Sequence, residues 1–207
     1  MSKKNILAFT LAAAVFSLPG LAAAANYSAA VGFDSYSAHI GGMNSSIPGG
    51  YLHTRERFGK IALSQRFFGG SSGSIHGDLL AGSLHAGYLI HPEPHLTVMP
   101  YLGAGYIHIA PMGSHINTAY ADAGIRVNDQ VFRNIGIYGK GGFGRNFGTA
   151  IAGVPTTGGL FYTAAVGVVA KVGPGDFSMG YQYQSMPFGH GLNLGTDQYR
   201  VGYRLPF

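Results

Sequence analysis

The sequence predicts an all-β chain, an antiparallel transmembrane β-barrel of 8 to 10 strands, and three observations carry that prediction. Apolar residues alternate with small or polar ones at a period of two over most of the chain, the signature of strands whose two faces meet different surroundings. Charged residues are only 10 % of the 207, while Gly supplies 34 positions; a soluble domain carries about a quarter charged residues and roughly 7 % Gly. Beyond the N-terminal leader, no apolar run is long enough for a spanning helix, so a closed barrel is the way to pair every backbone group inside a bilayer.

The leader reads as an export signal. Lys3 and Lys4 precede the apolar stretch Ile6 to Leu18, Pro19-Gly20 breaks it, and the small residues Ala22 to Ala25 follow, which matches a secretory signal peptide. Residues 1–25 are therefore expected to be removed, leaving 26–207 as the barrel domain. The mature chain keeps 11 basic against 8 acidic side chains, an excess too small and scattered for a nucleic-acid partner. With no Cys, no disulfide framework supports it.

Alternation is clearest at the C-terminus, where Tyr199, Val201, Tyr203, Leu205 and Phe207 form one face and Gln198, Arg200, Gly202 and Arg204 the other. The same holds for Phe177, Met179, Tyr181 and Tyr183 against Ser178, Gly180, Gln182 and Gln184, and for Tyr162 to Val172 against Thr163, Ala165, Gly167 and Lys171. Ala119, Ala121, Ala123, Ile125 and Val127 oppose Asp122, Gly124 and Arg126, while Leu80, Leu84, Ala86 and Tyr88 oppose Ala81, Ser83, His85 and Gly87. In each case the second face is small and sparsely charged, as suits a narrow interior. The expected geometry is apolar outside, small and polar inside.

Turn chemistry divides the strands. His91 to His95, Asn128 to Asn134 and Gly173 to Asp176 read as periplasmic turns, with Gly69 to Ser74, Pro111 to Asn117, Gly148 to Gly159 and Phe188 to Gly195 as outer connections. Eight strands then fall at 58–68, 75–90, 96–110, 117–127, 135–147, 160–172, 177–187 and 196–207. Residues 27–51 are left over. Two further strands at 27–33 and 36–43, with Ser45 to Gly50 as a periplasmic turn, satisfy parity with ten; a plug or arm leaves eight.

Leader, terminal strand and the run Pro100-Tyr101-Leu102-Gly103-Ala104-Gly105-Tyr106 together resemble small Gram-negative outer-membrane β-barrels of the outer membrane protein A and opacity-like type. The resemblance covers nearly all of 26–207, as pattern. It implies location in the cell outer membrane, with outer-membrane lipids and lipopolysaccharide as surroundings. It also implies transit by periplasmic chaperones and insertion by the barrel assembly machinery, which would read Tyr199, Val201, Tyr203, Leu205 and Phe207 as an assembly signal. Pro206 departs from the usual polar penultimate residue, although a strand end tolerates Pro.

Charges facing lipid cost ~2–4 kcal/mol at the midplane, so the lumen is the expected place for Lys60, Arg66, His85, Asp122, Arg126, Lys140, Lys171, Gln182, Arg200 and Arg204. An eight-stranded interior is just filled by side chains, which favours a structural network; a wider barrel would leave a small pore for anionic or polar solutes. Barrel deacylases of lipid A resemble this chain in their last two strands. Ser185 and Asp197 are present, but the His-x-Ser spacing is missing, and His190 falls in a loop. Ser74, His76 and Asp78 share a strand face about 7 Å apart, too far for a relay. His91, Glu93 and His95 lack the three or four convergent ligands a metal wants. Gly139, Gly141, Gly142 and Gly144 are not followed by a Lys-Ser/Thr or a helix, so they form no phosphate loop. No catalytic residue, metal or cofactor is expected, and a structural or surface-interaction role is favoured over the pore and over a lipid A-modifying enzyme.

Overall fold

A strand with one apolar and one small or polar face has two unlike surroundings to satisfy, and closing the sheet on itself satisfies both while leaving no edge. The structure, a computed structural model, describes residues 26–40, 43–72, 77–110, 115–187 and 193–207; the expected signal peptide lies outside them. The strands are β1 (Asn26–Ile40), β2 (Met43–Phe58), β3 (Ile61–Ser72), β4 (Gly77–Tyr88), β5 (Ile90–Glu93), β6 (Leu96–Ala110), β7 (Ile116–Phe132), β8 (Ile135–Ile151), β9 (Val154–Thr156), β10 (Leu160–Val172), β11 (Gly175–Pro187) and β12 (Asn193–Pro206).

Ten long strands run antiparallel to their chain neighbours, and β12 returns to pair with β1 from Ser28↔Pro206 to Ile40↔Leu194. The two short strands lie outside the wall: β5 pairs with β6, and β9 folds back on β8. At the rim holding Asn26 and Phe207 the main-chain N–H of Phe207 donates to the Tyr27 carbonyl at 2.8 Å, and the rings of Tyr27 and Phe207 sit 5.9 Å apart. That rim also carries the short turns at 59–60, 133–134 and 173–174, with φ positive at Gly59 and Gly173, so it is the periplasmic one. At the opposite rim Ala152 and Gly153 both have positive φ and close the β8–β9 hairpin as a primed turn.

Residues 27–51 complete the wall. The correction concerns where they turn: β1 runs straight through 34–35 to Ile40, and Ser45 to Gly50 lies inside β2, while the periplasmic turn falls at Gly59 and Lys60. Pro48 and two adjacent Gly look like a turn in sequence. In the barrel Pro48 stands just past the end of the β2–β3 ladder, whose outermost pair is Gly49↔Gly70, where a missing N–H is tolerated. Gly49 and Gly70 instead make room for the Phe68 ring, whose Cζ would lie 2.7 Å from a Cβ at either position. Likewise β7 continues through Asn128 to Phe132 rather than turning at Asn128.

Outward positions form an apolar belt: Val31, Leu102, Phe143 and Val166 are 60–69 % exposed. Aromatic rings border it, with Tyr181 against Tyr199 and Tyr162 against Tyr183 at 5.2 and 5.7 Å, as in the girdles of membrane barrels. Inside, several large rings lie flat across neighbouring strands. Tyr51 covers Gly32 and Gly202, and Tyr101 covers Gly124 and Gly142, so that a Cβ at any of these four would collide with the ring. By contrast Gly139 and Gly141 face outward, with nothing within 4 Å of an added Cβ. Gly202→Val is therefore expected to destabilise the folded barrel by about 1–3 kcal/mol through overpacking, with Gly141→Val close to neutral, in urea titrations of the folded band in detergent. Equal effects would show that ring-over-glycine packing does not hold the wall.

Candidate functional site

The lumen is the candidate site, and its wall residues divide it into three layers. Towards the outer rim, Tyr36, Ile47, Phe68, Leu79, Ile107, Ile109, Ile116, Phe161, Met186 and Leu194 all turn inward and form one buried apolar cluster. Ile47, Leu79, Ile109, Met186 and Leu194 are at most 1 % exposed. The expectation of a small and polar interior is thus corrected for the outer part of the barrel, which has a hydrophobic core. On the same flank the outward positions become polar. Tyr181 Oη donates to Asp197, whose Oδ2 lies 2.9 Å from His39 Nε2, and His39 Nδ1 lies 2.7 Å from Asn44 Oδ1.

The middle layer is ionic. Asp34, fully buried, pairs with Arg66 and lies 3.6 Å from Arg200 Nε. Gln198 Oε1 accepts from Arg66 at 3.3 Å and from Arg200 at 3.4 Å, while both guanidinium groups sit over the Tyr51 ring at 5.3 and 5.5 Å. A second centre is Asp122, 3.4 Å from His85 and 4.0 Å from Lys140, whose ammonium lies 4.6 Å from the Tyr101 ring centre. These groups enclose a cavity of about 120 Å³, lined also by Gln182 and Arg126. The third layer is a larger space of about 460 Å³ at the periplasmic rim, lined by Arg204, Lys171 and Arg126 among others.

Arg66, His85, Asp122, Arg126, Lys140, Gln182 and Arg200 therefore line the enclosed cavity, while Arg204 and Lys171 reach the mouth. Lys60 is the correction. It occupies the β2–β3 turn, exposed, with its ammonium 6.0 Å from the ring of outward-facing Tyr88; the hairpin turns at that position, so strand parity no longer applies to it. Asp34 was missed because 27–51 had no settled register, and Arg55 and Arg57 because 52–57 fell in no expected strand. Their signal is present in the sequence: Ile47, Tyr51, His53, Arg55 and Arg57 share one strand face.

Tyr199, Val201 and Leu205 face outward at 39–60 % exposure, and Phe207 is exposed at the rim. Among the described residues no relay is assembled from the candidate catalytic residues. Ser185 Oγ exchanges hydrogen bonds with Asn193, and Asp197 is engaged by Tyr181 and His39; Ser74, His76 and His190 lie outside the described residues. His95 Nε2 stands 3.2 Å from Glu93 and 3.9 Å from Asp129 on the exposed rim. Among the described residues no three potential metal ligands converge.

No family model matches the sequence, and no curated protein matches it. Solved structures do. The β domain of the Bordetella autotransporter BrkA aligns over 89 % of this chain and 100 % of its own, with 12 % identity and a TM-score of 0.55. The translocator domain of the autotransporter NalP from Neisseria meningitidis aligns over 99 % and 96 % at 12 % identity and 0.48, and the Neisserial surface protein NspA over 87 % and 97 % at 14 % identity and 0.47. At these identities the likeness is one of fold. A closed ten-stranded barrel of this fold with an apolar outer belt defines the class, an integral outer-membrane β-barrel protein.

Removing one partner of a buried ion cluster costs about 3–5 kcal/mol, whereas replacing the whole cluster by apolar residues is often neutral. Asp34→Asn is expected to cost about that much, and the combined variant Asp34→Leu, Arg66→Met, Arg200→Met to regain most of it in denaturant titrations. If Asp34→Asn is neutral, the Arg66–Asp34–Arg200 cluster does not contribute to stability.

Proposed function

We propose that the protein is a non-conducting barrel of the outer membrane with a structural or surface-interaction role. The observation that carries this reading is the apolar cluster across the outer part of the lumen, from Ile47 and Phe68 to Met186 and Leu194. An ion passing it would lose its hydration without gaining a polar partner, and hydrophobic constrictions block conduction in this way. The ionic layer below it adds support, because its charges are engaged with one another and leave only a cavity of about 120 Å³.

The pore reading has one observation in its favour, the basic mouth at the periplasmic rim. Planar-bilayer recordings separate the two. The folded chain is expected to be silent, and Phe68, Ile109 and Met186 changed together to Ala are expected to open a current. A steady anion-selective current from the unmodified chain, reduced by Arg200→Gln, would establish the pore instead.

Assembly follows from the terminal strand, whose outward row ends at Phe207, 74 % exposed. Lipids and lipopolysaccharide cover the outer belt, and the periplasmic chaperones and assembly machinery act before the strand pairs with β1. Phe207→Ala is expected to lower the folded fraction in cells several-fold while leaving unassisted detergent refolding nearly unchanged, read from heat-modifiable mobility on gels. A parallel loss in both would make Phe207 a stability residue through its ring contact with Tyr27.

A further inference from the structure

The periplasmic space carries charge that the fold does not compensate. Arg55, Arg57, Arg126, Arg133, Lys171 and Arg204 line it, against the carboxylates of Asp129 and Asp176. They come from β2, β7, the β7–β8 turn, β10 and β12, so the barrel's curvature brings together cations from distant parts of the sequence. Asp176 stands in register opposite both Lys171 and Arg204, and Asp129 lies 3.9 Å from His95. Among the described residues, none of the six cations has a carboxylate within 4.0 Å. Their contacts are neutral: Arg126 Nε donates to Asn128 at 2.9 Å and its guanidinium lies 4.6 Å from the Tyr138 ring centre, Arg55 reaches the Met99 sulfur at 3.9 Å, and Arg57 donates to the Gly59 carbonyl at 3.1 Å.

Like charges gathered in a concave wall of low dielectric focus their field into the space they enclose and raise the local concentration of anions. Guanidinium groups with free donors bind oxyanions with two parallel hydrogen bonds. A volume of about 460 Å³ falls within the ~300–1,000 Å³ of small-molecule sites. Inward of the space lie the smaller cavity, which shares Arg126 with it, the Asp34–Arg66–Arg200 layer and the apolar cluster, so on the closed-lumen reading an anion entering from the periplasm meets a closed end.

We propose that this vestibule is a binding site for a small, free polyanionic solute, whose phosphate or carboxylate groups are held by Arg55, Arg126 and Arg204 from the periplasmic side. The proposal rests on the closed-lumen reading for its claim of capture rather than passage.

Calorimetric titration of the full barrel in zwitterionic detergent tests it, with pyrophosphate and citrate as probes. The expected result is saturable one-site binding of at least one probe. It should weaken about tenfold or more in Arg126→Gln/Arg204→Gln, weaken again as salt rises from about 50 to 500 mM, and stay unchanged in Arg145→Gln, a cation on the outward face of β8. Asp176→Asn, which removes one of the two carboxylates, should tighten binding several-fold and serves if the double variant does not fold. Absence of saturable heat with both probes at millimolar concentration, or equal affinity in the vestibule variants, would overturn the proposal. Repeating the titration in nanodiscs separates the sources of the anion. Affinity equal with phosphatidylglycerol and phosphatidylcholine supports a free solute, whereas competition by phosphatidylglycerol would overturn that assignment in favour of a lipid headgroup. A bilayer current, by contrast, would overturn the closed lumen while leaving the calorimetric binding intact.

Discussion

Closing ten strands encloses more space than closing eight, and that space must be filled from the inward positions of the same strands that show lipid an apolar face. Eight strands are just filled by ordinary side chains. Here large rings lie across the wall over glycines of the adjacent strands, as Tyr51 does over Gly32 and Gly202 and Tyr101 over Gly124 and Gly142. Ring and glycine are one unit: the glycine admits the ring, and the ring shields backbone that no side chain covers. Part of the high Gly content is thus a packing device. The pairing of β12 with β1 is what makes an inside at all, since an open edge would leave unpaired N–H and C=O groups in lipid.

The layering of the lumen follows from what surrounds each level. In the outer part the barrel has an apolar interior and, beside His39 and Asp197, a polar exterior, the polarity of a soluble barrel. Further down the exterior is apolar and the interior carries Asp34, Arg66, Arg200, Asp122 and Lys140, two carboxylates each within 4.0 Å of a cation. At the periplasmic mouth basic side chains outnumber carboxylates six to two. A seal, an ion-paired layer and a basic vestibule without close carboxylates succeed one another along one axis, and the proposed capture of an anion from the periplasm is a use for that order which a conducting path is not.

Strands 96–110 and 160–172 coincide with the strands read from sequence, because each is bounded by clear turn chemistry. Residues 27–51 carry a local signal that the tertiary structure overrides. Pro48-Gly49-Gly50 carries the local signature of a turn, yet the reason for Gly49 is Phe68 on the neighbouring strand, which no local pattern contains. The apolar seal was hidden for a related reason. Ile107 and Ile109 flank His108 with period two, as any strand would, but which face points inward switches its meaning once the exterior is no longer lipid. Lys60 shows the limit of parity, since a two-residue turn removes its position from either face.

Period-two alternation, the paucity of charge and the abundance of Gly determined by themselves that this chain is a membrane β-barrel, because few other structures can hide a backbone in lipid with so few apolar residues in sequence. Strand number, the contents of the lumen and the convergence of Arg55, Arg126 and Arg204 were decided only by the tertiary structure. Closure and register bring together residues up to 149 positions apart, and an alternation pattern names the face a residue takes but not the neighbours it meets there.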